Sequence, residues 1–157
     1  MQTKTAARQS DTLDYELVFR HMPGLILILD PGFTILAQNI AHADASLSAD
    51  RKVVGLNLFE AFPDNPGHSA ADGVSLVRAS LLKVLKTRER DVMPVIRYDV
   101  RGSRGPFEAR WWEVDNTPIL DKEGYVRWII TRGVDVTELV ERAATALGGK
   151  NGPVDRF

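Results

Sequence analysis

Residues 107–138 read FEARWWEVDNTPILDKEGYVRWIITRGVDVTE, and their pattern decides the fold. Phe107–Ile119, with Trp111 and Trp112 inside it, reads as a strand. Asp121-Lys-Glu-Gly124 has the composition of a tight turn, and Tyr125–Val134 reads as the strand returning beside the first. Just upstream, Met93–Val100 reads as a third strand, joined through a Gly102–Gly105 turn, so the three form an antiparallel meander. Asp135-Val-Thr-Glu138 then reads as a helix start, because Asp135 and Thr137 can cap exposed N–H groups there. Leu139, Val140, Ala143, Ala146 and Leu147 lie along one side of the helix that follows. Gly148-Gly149 ends it, and residues 148–157 read as a flexible tail.

Before the meander, Ala71–Lys86 is the clearest long helix. Val74, Val77, Leu81 and Leu85 form one line along it, widened by Leu82 and Val84, and its basic last turn suits the negative end of the helix dipole. Further back, Leu25–Leu29 reads as a buried strand and Phe33–Gln38 as its hairpin partner. Asp30-Pro-Gly32 makes the turn between them, with proline presetting one dihedral and glycine accepting a positive one. Asn39–Ala61 reads as several short helices and Pro63–Gly67 as loop. Residues 1–9 are small and polar and are expected to be disordered. Ser10 or Asp11 caps a first amphipathic helix of about four turns, which Pro23-Gly24 stops. Leu13, Leu17, Val18 and Met22 form its apolar stripe, which must cover the sheet, a partner, or both.

Composition narrows the function classes. With 157 residues the chain has the length of one domain. Its 20 basic and 21 acidic residues leave a net charge of -1, so the basic excess of a nucleic-acid binder is missing. There is no cysteine, which removes disulfides, thiolate metal sites and cysteine nucleophiles together and fits a reducing, cytoplasmic setting. The longest apolar run, Leu25–Leu29, is far too short to span a membrane, and the N-terminus lacks a signal-peptide pattern, so no direct membrane contact is expected.

The order of elements, and four local motifs, resemble the PAS family. Asn39-Ile-Ala41 looks like the Asn-x-Ala at which those chains enter their first short helix. Val54-Gly55-x-x-Leu58-Phe59 looks like the glycine-to-short-helix step before the long helix. Asn116-Thr-Pro118-Ile-Leu-Asp121-x-x-Gly124 resembles the turn between the last two strands, and Asp135-Val-Thr137-Glu138 the junction with an output helix. The resemblance runs from about Leu13 to Arg142 and is nearest to modules of bacterial sensor kinases and related two-component proteins. It implies an α+β fold: a five-stranded antiparallel sheet with a helical wall, an N-terminal amphipathic helix and a C-terminal exit helix. The domain would span residues 10–135 and the output helix 136–147.

The resemblance also implies sites. A small-molecule cavity would be lined by Trp112, Val114 and Asn116 on one strand and Ile129 and Thr131 on the next. Tyr98 would stand opposite, with Val77 and Leu81 on the long helix. An aromatic and aliphatic set at these spacings is equally a filled core. Arg97, Tyr98, Asp99 and Arg110 could hold a polar head group, but cross-strand pairing on the solvent side explains the same charges and is preferred. Asp135 and Thr137 would form the signal junction, and the stripe Leu13, Leu17, Val18 and Met22 a homodimer interface. A flavin–cysteine adduct is excluded without cysteine. Haem is disfavoured because the long helix has no histidine, and His21, His42 and His68 are expected to face solvent. A downstream signalling domain in a longer protein would take the output.

Catalytic readings find less. Glu113 and Asp115 face the same side of one strand, but two carboxylates without burial and a substrate are no acid–base pair. Gly148-Gly149-Lys150-Asn151 lacks the spacing and hydroxyl of a phosphate loop. The chain is therefore read as a non-catalytic sensory module. A small cone-shaped α+β isomerase or hydrolase, and a dimerisation adaptor with a filled core, stay open as alternatives.

Overall fold

The computed structural model describes residues 12–148. The expected disordered stretch 1–9, the Ser10 and Asp11 caps, the tail beyond Gly148 and the Gly149-Lys150-Asn151 stretch lie outside the described residues. In chain order the elements are α1 (Tyr15–His21), β1 (Leu25–Leu29), β2 (Ile35–Gln38), α2 (Ile40–Ala45), α3 (Leu58–Ala61) and α4 (Gly73–Thr87). They continue with β3 (Asp91–Val92), β4 (Ile96–Arg97), β5 (Trp111–Leu120), β6 (Val126–Asp135) and α5 (Thr137–Gly148). The strands form one antiparallel sheet ordered β2-β1-β6-β5-β3, with β4 also paired to β5. The α+β architecture expected from the sequence is the one observed.

Three local departures have physical causes. The expected strand Met93–Val100 is split into β3 and β4, because Pro94 has no N–H to give the ladder and sits between them. In the first hairpin the positive dihedral falls on Phe33 (φ 68) and not on Gly32. Asp30 fixes that turn through Oδ1, which accepts from Gly32 N at 2.9 Å and Thr34 N at 2.8 Å. The strained Phe33 is held by burial of its ring edge-on against Phe59, centroids 6.1 Å apart. Finally, α1 has two turns rather than four, and Asp14 caps it by accepting from Leu17 N at 3.0 Å.

The core lies between the inner face of the sheet and the helices α3 and α4. Leu27, Leu29, Ile35, Ile129, Leu81 and Val84 are essentially sealed from solvent. Each buried side chain of this size contributes roughly 1.5–3 kcal/mol. Leu82, expected to widen the buried face of α4, points outward and is 52 % exposed. Asn39 joins the amino-terminal elements. Its Oδ1 accepts from Ile26 N and His42 N, both at 3.0 Å, while Nδ2 donates to Met22 O at 3.1 Å and Gly24 O at 2.8 Å. One fully buried amide thus ties the end of α1, the start of β1 and the start of α2 together.

Candidate functional site

Along the inner face of the sheet, side chains alternate, so Leu25 and Leu27 of β1, Thr131 and Gly133 of β6, and Trp112 and Val114 of β5 share one side. At this end they do not meet the helical wall. A cavity of about 100 Å³ remains, closed on the far side by Val77 of α4, His42 and Ser46 at α2, Leu58 and Phe62 at α3, and Ile96, Tyr98 and Val100. Its lining is overwhelmingly apolar, and among the described residues no charged side chain reaches it.

Of the eight residues assigned to a pocket from the sequence, Tyr98, Trp112, Val114, Thr131 and Val77 line this cavity. Asn116, Ile129 and Leu81 do not. Ile129 and Leu81 are fully buried in the packed core, and Asn116 sits in a polar chain behind the wall. In that chain Thr131 Oγ1 donates to Asn116 Oδ1 at 2.7 Å, and Asn116 Nδ2 donates to Ser80 Oγ at 2.9 Å. Ser80 in turn donates to Asp91 Oδ2 at 2.7 Å, and Lys83 Nζ pairs with Asp91 Oδ1 at 2.6 Å.

His42 corrects the expectation that all three histidines face solvent. Its ring lines the cavity, packs edge-on to Phe62 (centroids 5.7 Å apart) and lies 2.8 Å from Gln38 Nε2 through Nδ1. Burial pulls its pKa down from 6.5 to about 4, so it is neutral near pH 7. The signal for it was present in the sequence: His42 and Ser46 are four apart, hence on one face of a short helix. His21 is exposed on α1 and His68 is in the loop before α4. Among the described residues no three His, Asp or Glu side chains cluster as a metal site.

Tyr98 separates from the charged group it was read with. Its ring turns inward against Gly73, where an added Cβ would lie 2.7 Å from the ring, and its hydroxyl donates to Phe62 O. Burial pushes the phenol pKa well above its ordinary value. The charges pair outside the cavity, but mainly along one segment rather than across strands on the solvent side as expected, and Asp99 is itself buried. Arg97 grips Asp99 at 2.8 and 3.0 Å, and Arg110 meets Glu108 at 2.5 Å and Asp135 at 3.7 Å. Burial alone would raise the Asp99 pKa; its bonds from Arg97 and Asn65 outweigh that and lower it. Asp115 is likewise enclosed by Arg90 and Arg132, whose hydrogen bonds lower its pKa against the burial penalty. Glu113, its supposed companion, is exposed.

At the junction with α5, Asp135 caps the helix start as the sequence suggests, while Thr137 takes a different partner. Asp135 Oδ1 accepts from Thr137 N at 2.9 Å and from Thr137 Oγ1 at 2.5 Å. Thr137 does not cap its own helix: its Oγ1 accepts from Trp111 N at 3.0 Å, while Val136 N donates to Trp111 O at 2.9 Å. The first residue of α5 is thereby fastened to the first residue of β5, next to the cavity residue Trp112. The apolar side chains on α5 stay exposed or half-buried, and Leu13, Leu17, Val18 and Met22 on and around α1 are all exposed. No helix of the described residues is long and apolar enough to cross a membrane.

Comparison with known proteins agrees with this architecture. The family described as the PAS fold matches residues 19–141. The PAS domain of a protein from Colwellia psychrerythraea superposes with a TM-score of 0.60 at 13% identity, covering 78% of this chain and 94% of its own. The PAS domain of Bordetella pertussis BvgS gives 0.57 at 24% identity, covering 85% and 92%. That of nitrogen regulation protein NR(II) from Vibrio parahaemolyticus gives 0.56 at 18%, covering 79% and 99%. At these identities the likeness is one of fold. No curated protein sequence matches the chain significantly.

Proposed function

The chain belongs to the PAS fold family, and on that premise we propose that it is a sensory module in which a small molecule in the cavity alters how β5 holds α5. One observation carries this reading. Trp112 lines the cavity while its neighbour Trp111 makes both backbone hydrogen bonds that anchor the start of α5. A change in the cavity wall therefore has one residue to travel before it meets the exit helix.

Binding is preferred over catalysis because of what the cavity lacks. No carboxylate of the described residues lines it, and Tyr98, the one buried acid there, is held protonated with its hydrogen bonded to Phe62 O. The filled-core adaptor is disfavoured by the cavity itself. The exposed stripe of α1 supports association with a second copy, with α5 leading the signal to a downstream partner domain.

The test is to occupy the cavity from its helical wall, on the α4 side opposite the sheet that carries Trp112. Val77→Met extends a flexible side chain into the space. The reading expects hydrogen exchange across residues 137–148 to change by about fivefold or more. Unchanged exchange there, with altered exchange at Trp112 and Val114, would sever cavity from output. For the dimer, Leu17→Glu should convert the sedimenting species from dimer to monomer.

A further inference from the structure

The hydrogen bonds around His42 fix its tautomer. Ser46 Oγ lies 2.7 Å from His42 O, and because a carbonyl only accepts, the single hydroxyl hydrogen of Ser46 is committed there. Ser48 Oγ lies 2.8 Å from Ser46 Oγ, so the hydrogen between them is that of Ser48. Ser48 then has none left for Gln38, which must present its NH₂ group across their 2.8 Å contact. The same NH₂ faces His42 Nδ1 at 2.8 Å. Ser46 Oγ also lies 3.4 Å from Nδ1, but its hydrogen is spent on His42 O, and an Nδ1–H would meet the Gln38 NH₂ head-on, so Nδ1 is an acceptor. In the neutral ring the proton then sits on Nε2.

The other donors of the cavity wall are taken. Tyr98 donates to Phe62 O, Trp112 Nε1 to Tyr98 O at 2.8 Å, and Thr131 Oγ1 to Asn116 Oδ1 at 2.7 Å. Among the described residues, no protein acceptor meets His42 Nε2. We infer that the Nε2–H of His42 is the one unpaired side-chain donor of the cavity. It selects a small, uncharged, largely hydrocarbon molecule carrying a single acceptor such as a carbonyl oxygen. This rests on the cavity being a binding site and specifies what that site takes. Charge is excluded because no opposite charge lines the wall, and an unpaired buried ion is far costlier than a paired dipole. Size follows from the volume: an apolar cavity of roughly 150 Å³ admits benzene, and this one measures about 100 Å³. A single small ring or a short branched chain is the upper limit without movement of the wall.

The experiment uses two probes of one shape, cyclopentanone and methylenecyclopentane, which differ by an oxygen against a CH₂. Binding is followed by the indole resonance of Trp112 in the wild-type chain and in His42→Phe, which keeps a ring and removes the donor. Loss of the donor leaves the carbonyl buried and unpaired, so His42→Phe should weaken cyclopentanone by roughly tenfold or more and methylenecyclopentane by less than about twofold. Equal change for both probes, or none for either, overturns the inference while leaving the cavity a binding site. Failure of both probes to bind the wild type overturns the binding-site reading and the inference with it. Long-range ¹H–¹⁵N correlation on histidine-labelled wild-type protein checks the same point without a variant. Protonation at Nε2 supports the inference, and protonation at Nδ1 contradicts it.

Discussion

The inner face of the sheet has two ends made from the same strands, one hollow and one solid. At the solid end Asn116, Ile129, Leu81 and Leu29 are fully buried, and every polar atom of Asn116 has a partner. At the hollow end Gly133 offers no side chain, Thr131 bonds away from the space, and His42 keeps an unused donor. Close packing and complete hydrogen bonding mark the part that holds the fold together. Space and an unpaired polar group mark the part free to respond.

The difference can be broken most severely at the solid end. Asn116→Leu keeps the volume but leaves the Thr131 hydroxyl without its acceptor and Ser80, still bonded to Asp91, without the amide that donates to it. A loss of about 3–4 kcal/mol in urea-unfolding free energy is expected, and a loss under about 1 kcal/mol would mean this end is not the structural anchor.

Acid probes the hollow end. His42 titrates near 6.5 when unfolded and near 4 when folded. Between those values the unfolded chain binds a proton that the folded one refuses. Stability is therefore complete above about pH 6.5 and falls as pH drops toward 4, by roughly 3 kcal/mol in all. Asp91, Asp99 and Asp115, lowered below 3.8, add their own losses only beneath that value. His42→Phe should flatten the upper part of the profile, and a slope that survives it assigns the titration elsewhere.

Two glycines sharpen the contrast further. Gly73→Ala drives a methyl to 2.7 Å from a Tyr98 ring that is tethered at its hydroxyl, so a cost of about 2 kcal/mol is expected in thermal unfolding. Gly133→Ala meets Leu25 and Trp112 at ordinary contact distances of 3.8 Å. It should change stability by less than about 0.5 kcal/mol while shrinking the cavity and weakening small-probe binding several-fold.

Much of this was legible in the sequence, and the gaps have a common cause. Alternation along Trp112, Val114 and Asn116 gives the side of the sheet each residue takes. It says nothing of how deep the helical wall comes at each level, which is why Asn116, Ile129 and Leu81 were grouped with residues that line the cavity. For His42 the spacing to Ser46 is the one local hint, too weak in a six-residue helix to outweigh a solvent-facing reading, and its inward position is set by Phe62 and Gln38. Asn39 is the helix entry the sequence suggests, capping α2 at His42 N, but its bonds to Met22 O and Gly24 O also reach 17 and 15 residues back along the chain, which no local pattern shows. The sequence suggests Thr137 as a local cap, yet its hydroxyl serves Trp111, 26 residues away. Local chemistry named the residue each time, and tertiary partners decided its task.

The most direct test follows backbone amide resonances as cyclopentanone is titrated into the wild-type chain. Saturable shifts with one common affinity are expected at Trp112 and Val114 in the wall and at Trp111 and Thr137 in the anchor of α5. Shifts that saturate at the wall while the Trp111 and Thr137 amides stay still would contradict the coupling of cavity to exit helix.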